Sequence, residues 1–291
     1  MTEVKKQKKS RSYWAEIWRL LVRNKGAMIG MAIVILLIVL SLTVDIIFDY
    51  DNQVINQDVA NRLQWPSKDH WFGTDNLGMD IFNRVVYGSK YSLLIGISST
   101  ALSTAIGLFF GAIAGYFGNK FDNIIMRGCD IIGAVPGLLL GMIIVAVLGP
   151  DLINLTIALG ISGASYMTRV VRASVLTVRN SEYVESARSI GMAEWKIICK
   201  YILPNCMSPI IVAVTLRVGS NIISASSLSF LGLGAQAPTP EWGAMLSAGR
   251  AYTRGQPYIT MFPGLAIMLT VLALNMFGDG LRDAMDPKLR K

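Results

Sequence analysis

The most specific spacing of polar and apolar residues lies between Glu182 and Pro209, where the chain reads EYVESARSIGMAEWKIICKYILPNCMSP. Its charged residues form no nucleophile–base pair and no metal set. A loop that bears on another protein needs a rigid element that protrudes and a surface on which something docks. Gly191 lets the backbone turn sharply between two short helices without a Cβ penalty. After it, Trp195, Ile198 and Ile202 recur at i, i+3 and i+7 as one apolar face, while Glu194, Lys196 and Lys200 lie elsewhere. Pro204 has no N–H to continue a helical ladder, which predicts the end of the second helix there and the start of the next apolar segment. An apolar ridge aimed at water needs a cover. From these residues alone, a second protein or the bilayer surface accounts for it equally well.

Other chemistries find little support. No G-x-x-x-x-G-K-[S/T] occurs, so the chain has no phosphate-cradling loop and is expected to hydrolyse no ATP. Neither H-E-x-x-H nor G-x-S-x-G occurs, and the one histidine, His70, leaves little scope for general-base work. With no second ligand in view, His70 reads as a surface or packing residue rather than a metal ligand. Cys129, Cys199 and Cys206 have no C-x-x-C spacing and read as small apolar fillers, expected reduced. No metal or cofactor is expected on this chain.

The elements that carry the 182–209 segment are apolar. Of 291 residues, 53% are hydrophobic and only 16% charged, below the usual quarter, and the mean hydropathy is +0.48. A net charge of +8 raises the question of a nucleic-acid partner. The charges, however, sit between apolar runs rather than along one face, so membrane topology explains them and no nucleic-acid partner is expected. The fold class is all-α, a membrane protein with six transmembrane helices.

Residues 1–25 read as a cytoplasmic tail with a short interfacial helix, because Trp14, Ile17, Trp18 and Leu21 form an apolar stripe with basic flanks. The first span, 26–48, has no cleavage site and is expected to stay in the membrane. Residues 49–90 form a polar extracytoplasmic connection too short for a core of its own. Residues 91–278 hold a five-helix core that includes a loop at 169–205, and 279–291 form a cytoplasmic tail. Within the core, the span from Tyr91 carries the ladder Gly107, Gly111, Gly115, whose spacing lets helix backbones approach closely in lipid. A polar turn is expected at Gly118 to Arg127. A span broken at Pro136-Gly137 follows, then a short span from Leu152 to Thr168. The fifth span, Ile210 to Gly234, holds Arg217 near its middle. A charge at that depth is costly and faces a bundle interior, a partner or a water-filled path.

With the N-terminus inside, the inner segments hold 20 of the 27 basic residues: eight in 1–25, two in 118–127, six in 169–205 and four in 279–291. The positive-inside rule therefore puts both termini and the 182–209 segment in the cytoplasm.

The spacing Glu185-Ser186-Ala187, Gly191, Leu203-Pro204 resembles the "EAA" loop of ABC-importer membrane subunits, which reads Glu-Ala-Ala, three residues, Gly, nine residues, Ile, one residue, Leu-Pro. Ser186 replaces the first Ala, and Tyr201 stands at the Ile slot. FGTDNLGMDIFNRVVYGSKYSLLIG (72–96), SLSFLGLGAQAPTPEWGAML (227–246) and DGLRDAMDPKLR (279–290) are similar to the C-type subunit of dipeptide, oligopeptide and nickel importers, over nearly the whole chain from about Trp18. The resemblance implies a type I importer fold with a cytoplasmic coupling-helix loop. It implies a B-type permease partner against which the first helix packs, two ATPase subunits that bind ATP and Mg, and an extracytoplasmic substrate-binding protein. Peptide cargo, or alternatively nickel or a metal chelate, would cross a bacterial or archaeal cytoplasmic membrane. Glu185, Ser186, Ala187, Gly191, Trp195, Ile198, Leu203 and Pro204 would then couple to the ATPases, and Arg217 would line the pathway or hold the protein together. A self-contained channel or ion-driven carrier remains the reading from another class. It would need several buried ionisable residues or an inverted repeat.

Overall fold

The computed structural model describes residues 13–286, so the basic cluster Lys5 to Arg11 and the tail beyond Asp286 lie outside the described residues. Helix α1 (Tyr13–Arg23) meets α2 (Lys25–Ile47) at Asn24, whose side chain caps α2 by accepting from the Ala27 N–H at 3.1 Å. Helix α3 (Ile81–Phe117) is started by Asp80, which accepts from the Asn83 N–H at 3.0 Å. It therefore begins at Ile81 rather than at Tyr91, because that cap lies in the polar stretch before the apolar run. Then come α4 (Asn119–Gly133), α5 (Gly137–Leu148) and α6 (Leu152–Val178). The residues expected as a polar turn, Gly118 to Arg127, are mostly helical: they open α4, whose polar and apolar residues separate onto two faces. The remaining helices are α7 (Glu182–Ser189), α8 (Glu194–Ile197), α9 (Met207–Phe230), α10 (Trp242–Gly249) and α11 (Tyr258–Met285).

Four stretches are long and apolar enough to cross a membrane: α2, α3, the run Glu194–Phe230 and α11. A fifth is the pair α4–α5, bent by 83° at the Pro136 break. The 27 residues of α6 reach about 40 Å at ~1.5 Å per residue, enough for a sixth. Its lower hydropathy reflects Gly160, Ser162, Gly163 and Ser165, small residues turned toward neighbours.

The close contact in the bundle is α3 on α6. A Cβ on Gly107 would stand 2.6 Å from the Met167 Cβ, one on Gly111 2.6 Å from the Thr168 carbonyl, and one on Gly115 2.8 Å from the Val175 Cβ. The partner numbers rise together, so α3 and α6 run parallel and the chain between them must return. The α4–α5 pair makes that return along α6, with Ser165 Oγ donating to the Cys129 carbonyl at 2.9 Å. By contrast, α9 and α11 run antiparallel, Gly278 against Leu216. Helix α2 lies on the chain's own α11, where a Cβ on Gly30 would stand 2.5 Å from the Ala273 carbonyl, and leaves Ile35, Leu36, Leu42 and Ile46 exposed. In α1, Ile17 and Leu21 are buried against Ala284 and Met285 while Trp18 stays exposed, so the stripe is shared between the protein and its surroundings.

One end of the bundle carries α7 and α8, the loop end; the other carries residues 48–80 and α10. At that far end Arg84 gathers separate segments, Nη1 donating to the carbonyls of Val54 and Pro238, each at 3.2 Å, with Asp75 at 3.7 Å from Nε. Burial pushes the Asp75 carboxyl above its usual range, against the pull of Arg84 and three backbone N–H groups. Fully buried Glu241 caps α10, accepting from the N–H groups of Gly243 at 2.9 Å and Ala244 at 2.8 Å. The connection before α3 shares a core with α10 and α11, Leu63 and Phe72 packing on Ile81, Val85, Trp242 and Tyr258.

Gly111→Val should overpack the α3–α6 seam and cost about 1–3 kcal/mol, seen as a lower melting temperature in detergent. Gly128→Ala, where a Cβ meets nothing within 4 Å, should leave that temperature unchanged or slightly higher.

Candidate functional site

The loop is built as a stopped helix followed by a continuous one. Helix α6 runs on to Val178, past the expected loop start at Arg169, because Val170, Val171 and Val175 keep packing on α3 and on the loop. Helix α7 stops at a glycine-terminated cap: the Met192 N–H donates to the Ala187 carbonyl at 3.2 Å and the Gly191 N–H to the Arg188 carbonyl at 3.0 Å. That geometry puts Gly191 at φ +74 with nothing within 4 Å of where a Cβ would sit. Gly191 is thus demanded by backbone conformation, not by crowding.

Beyond it, α8 passes through a π-helical turn, Ile198–Ile202, and a 3-10 turn, Leu203–Cys206, directly into α9. Pro204 therefore ends no helix. The two irregular turns absorb its missing N–H, and Glu194–Phe230 continues as one element.

These turns divide the expected coupling residues between two faces. Ala187 and Ile202 are buried with Val184 and Ile197 against Tyr116 of α3 and Val171 and Val175 of α6, while Ile198 and Leu203 are half-buried around that cluster. Trp195 is 64% exposed, so the expected ridge Trp195, Ile198, Ile202 splits: the π turn breaks the 3.6-residue repeat and sends Ile202 inward. Glu185, Ser186, Gly191 and Pro204 face outward. Two outward apolar residues escaped the sequence reading, Ile190 at 76% exposed and Tyr183 at 41%. The signal for Ile190 was its place beside the helix-stopping glycine.

Arg217 on α9 lies against Gly163 of α6, with Nη2 2.8 Å from where a Cβ there would be, and its guanidinium sits 5.5 Å from the centre of the Tyr166 ring. Its Nε is buried without a hydrogen-bond partner. None of the ion pairs among the described residues includes it. Nearby, an open cavity of about 720 Å³ runs from Tyr166 and Leu216 toward Asn205 and Arg282 at the loop end. His70 pairs with Asp80, Nδ1 to Oδ2 at 2.8 Å, and no cluster suited to a metal ion occurs among the described residues.

Residues 107–291 match the family model described as binding-protein-dependent transport system inner membrane component. The chain belongs to this family. Residues 12–66 match a second model, the N-terminal TM domain of oligopeptide transport permease C, which marks this permease as C-type. It is 44% identical to the dipeptide transport system permease protein DppC of Alkalihalophilus pseudofirmus, over 96% of this chain and 91% of that protein. It is 47% identical to the glutathione transport system permease protein GsiD of Escherichia coli, over 96% of this chain and 92% of that protein. Among solved structures, the inward-facing MetNI methionine ABC transporter matches with a TM-score of 0.57 at 17% identity, covering 70% of this chain and 96% of that one. A crystal structure of an amino acid ABC transporter with histidines matches with a TM-score of 0.54 at 15% identity, covering 69% and 94%. The fold is that of the type I importer permeases, and the protein is a multi-pass permease subunit of an ABC importer.

Gly191→Ala forces a Cβ into the left-handed region at a cost of about 1–2 kcal/mol. Amide hydrogen exchange in 182–190 of the permease should accelerate while exchange in α6 stays as it is.

Proposed function

We propose that this permease is one half of a heterodimeric pore that imports short peptides, driven by ATP that other subunits bind with Mg and hydrolyse. The observation carrying the cargo reading is similarity over 96% of the chain to a dipeptide permease and to a glutathione permease. Dipeptides and glutathione are both short peptides with free carboxylates. Nickel or a metal chelate is the second cargo, favoured only by the sequence likeness to sister importers. A stand-alone channel has less behind it, since Arg217 is the one charge deep within the expected spans.

The partners follow from that reading: a B-type permease beside this chain, two ATPases below, and a substrate-binding protein at the far end. The chain would lie in a bacterial or archaeal cytoplasmic membrane with both termini and the loop end inside, as the distribution of Lys and Arg supports. Tyr183, Ile190 and Trp195 would dock on an ATPase, with Glu185 and Ser186 beside them. Ala187, Ile198 and Leu203, with Ile202, would tie that surface to α3 and α6, while Pro204 lies in the turn leading into α9. When the ATPases close, the loop would be carried with them and the spans would rock as bodies, opening the cavity alternately to each side. Arg217, without an acidic partner among the described residues, would line the path and could take a peptide carboxylate bidentately.

Purification in mild detergent from the native host should bring down a second permease and two ATPases, identified by mass spectrometry; this chain alone, or as an ion-conducting homo-oligomer, refutes the reading. Trp195→Ala should weaken ATPase association by about 2 kcal/mol, as for a central aromatic anchor. Gly191→Trp should leave the assembly in the membrane yet uncouple hydrolysis from transport, and normal transport with full ATPase stimulation would remove the coupling role. Arg217→Gln should reduce peptide uptake by about ten-fold in liposomes, with Arg217→Lys between the two, as loss of a bidentate contact requires.

A further inference from the structure

The turn at Gly191 does not by itself fix the angle between α7 and α8. Nothing packs on it, and α8 begins without a side-chain cap. Besides the apolar contacts of Val184 and Ala187 with Ile197 and Ile202, a residue of a different helix joins the two arms. Tyr116, in the last turn of α3 and only 7% exposed, reaches across to the loop. Its hydroxyl donates to Glu194 Oε2 at the start of α8 and accepts from Arg188 Nη2, in the last turn of α7, at 3.2 Å. The Arg188 guanidinium also sits 5.5 Å from the centre of the Tyr116 ring. One hydroxyl therefore holds a residue on each side of the glycine, and both of its partners are charged, which makes these bonds stronger than neutral ones.

We propose that Tyr116 is a positioning residue that clamps both arms of the loop to α3, so that α7, α8 and α3 move as one body. The proposal rests on the coupling role given to the loop above. The clamp supplies what the apolar contacts between loop and bundle lack, since buried aliphatic side chains resist separation but slide past one another, whereas two directed hydrogen bonds at one atom fix an angle. Its load passes onward without slack, because Tyr116 follows Gly115, the last rung of the α3–α6 seam. Movement of the loop thereby reaches α6 through α3 as well as through the chain connection at Val178.

The test uses the assembled importer, with its second permease and ATPases, in liposomes with the binding protein and a dipeptide inside-directed assay. The quantity read is peptide transported per ATP hydrolysed. Tyr116→Phe keeps the ring and removes both bonds, and should lower that ratio by about five- to ten-fold, the lower range of coupling between sites. Glu194→Gln retains an acceptor for the hydroxyl and should stay close to the parent. Glu194→Leu, which leaves the Arg188 bond in place, should also lower the ratio, and the double variant should be no worse than Tyr116→Phe, because that variant has already removed the bond to Glu194. A merely structural tyrosine would change assembly or melting temperature without this pattern. The proposal is overturned if Tyr116→Phe transports with the parent's ratio, or if the two losses multiply. Should Tyr116→Phe fail to assemble, the Glu194 pair decides alone, since Glu194 is exposed: equal ratios for Gln and Leu overturn the clamp. If Gly191→Trp is also without effect, the coupling role of the loop itself is lost; if only Gly191→Trp uncouples, the loop couples without the clamp.

Discussion

The architecture depends on how closely α3 can approach α6. In lipid there is no hydrophobic drive to press one apolar helix on another, so association rests on dispersion at short range. Gly107, Gly111 and Gly115 remove the side chains that would hold the backbones apart, and Met167, Val171 and Val175 fill the space they leave. Everything at the loop end hangs from this seam. The inner face of the loop packs on Val171 and Val175 of α6, and Tyr116 leaves α3 one residue past the last glycine. A parallel pair held this tightly leaves the chain between its members only one course, back across the full depth of the bundle. The α4–α5 pair follows that course with a single sharp bend.

The far end is organised by polar rather than close-packed contacts. Arg84 binds the carbonyls of Val54 and Pro238, and the Trp242 indole donates to the Val85 carbonyl at 2.9 Å. These bonds tie segments far apart in sequence to the first turns of α3. The outer layer is therefore fastened to the same helix that carries the loop clamp at its other end. Helix α3 spans the molecule from one end to the other, and its 37 residues are uninterrupted.

Local features were legible in the sequence, and distant ones were not. The spacing Glu185 to Pro204, the glycine ladder and the break at Pro136-Gly137 are visible because each lies within one short, continuous stretch of chain. Helix ends were misplaced where a side chain caps from within a polar stretch, as Asp80 does for α3, or where an apolar face continues past the expected span, as Val171 and Val175 do for α6. Periodicity placed Ile202 beside Trp195, because it assumes a regular 3.6-residue turn and the π turn at Ile198–Ile202 departs from it. Burial was equally hidden: Ala187 and Ser186 are both small neighbours, yet one packs inward and the other faces out. The bond from Tyr116 to Glu194 joins residues far apart in the chain, and no pattern local to either one announces it.

The parallel run of α3 and α6 also has an electrical side. Each helix ends at the loop end with its carbonyls pointing outward, so two negative dipole ends lie next to one another there. Antiparallel neighbours cancel such fields, but this pair adds them. The chain answers with arginine: Arg179, just past the end of α6, donates from Nη1 to the Gly115 carbonyl at 3.0 Å in the last turn of α3, and so places one positive charge across both ends. Arg179 thus offsets a field that the close packing of two like-directed helices creates.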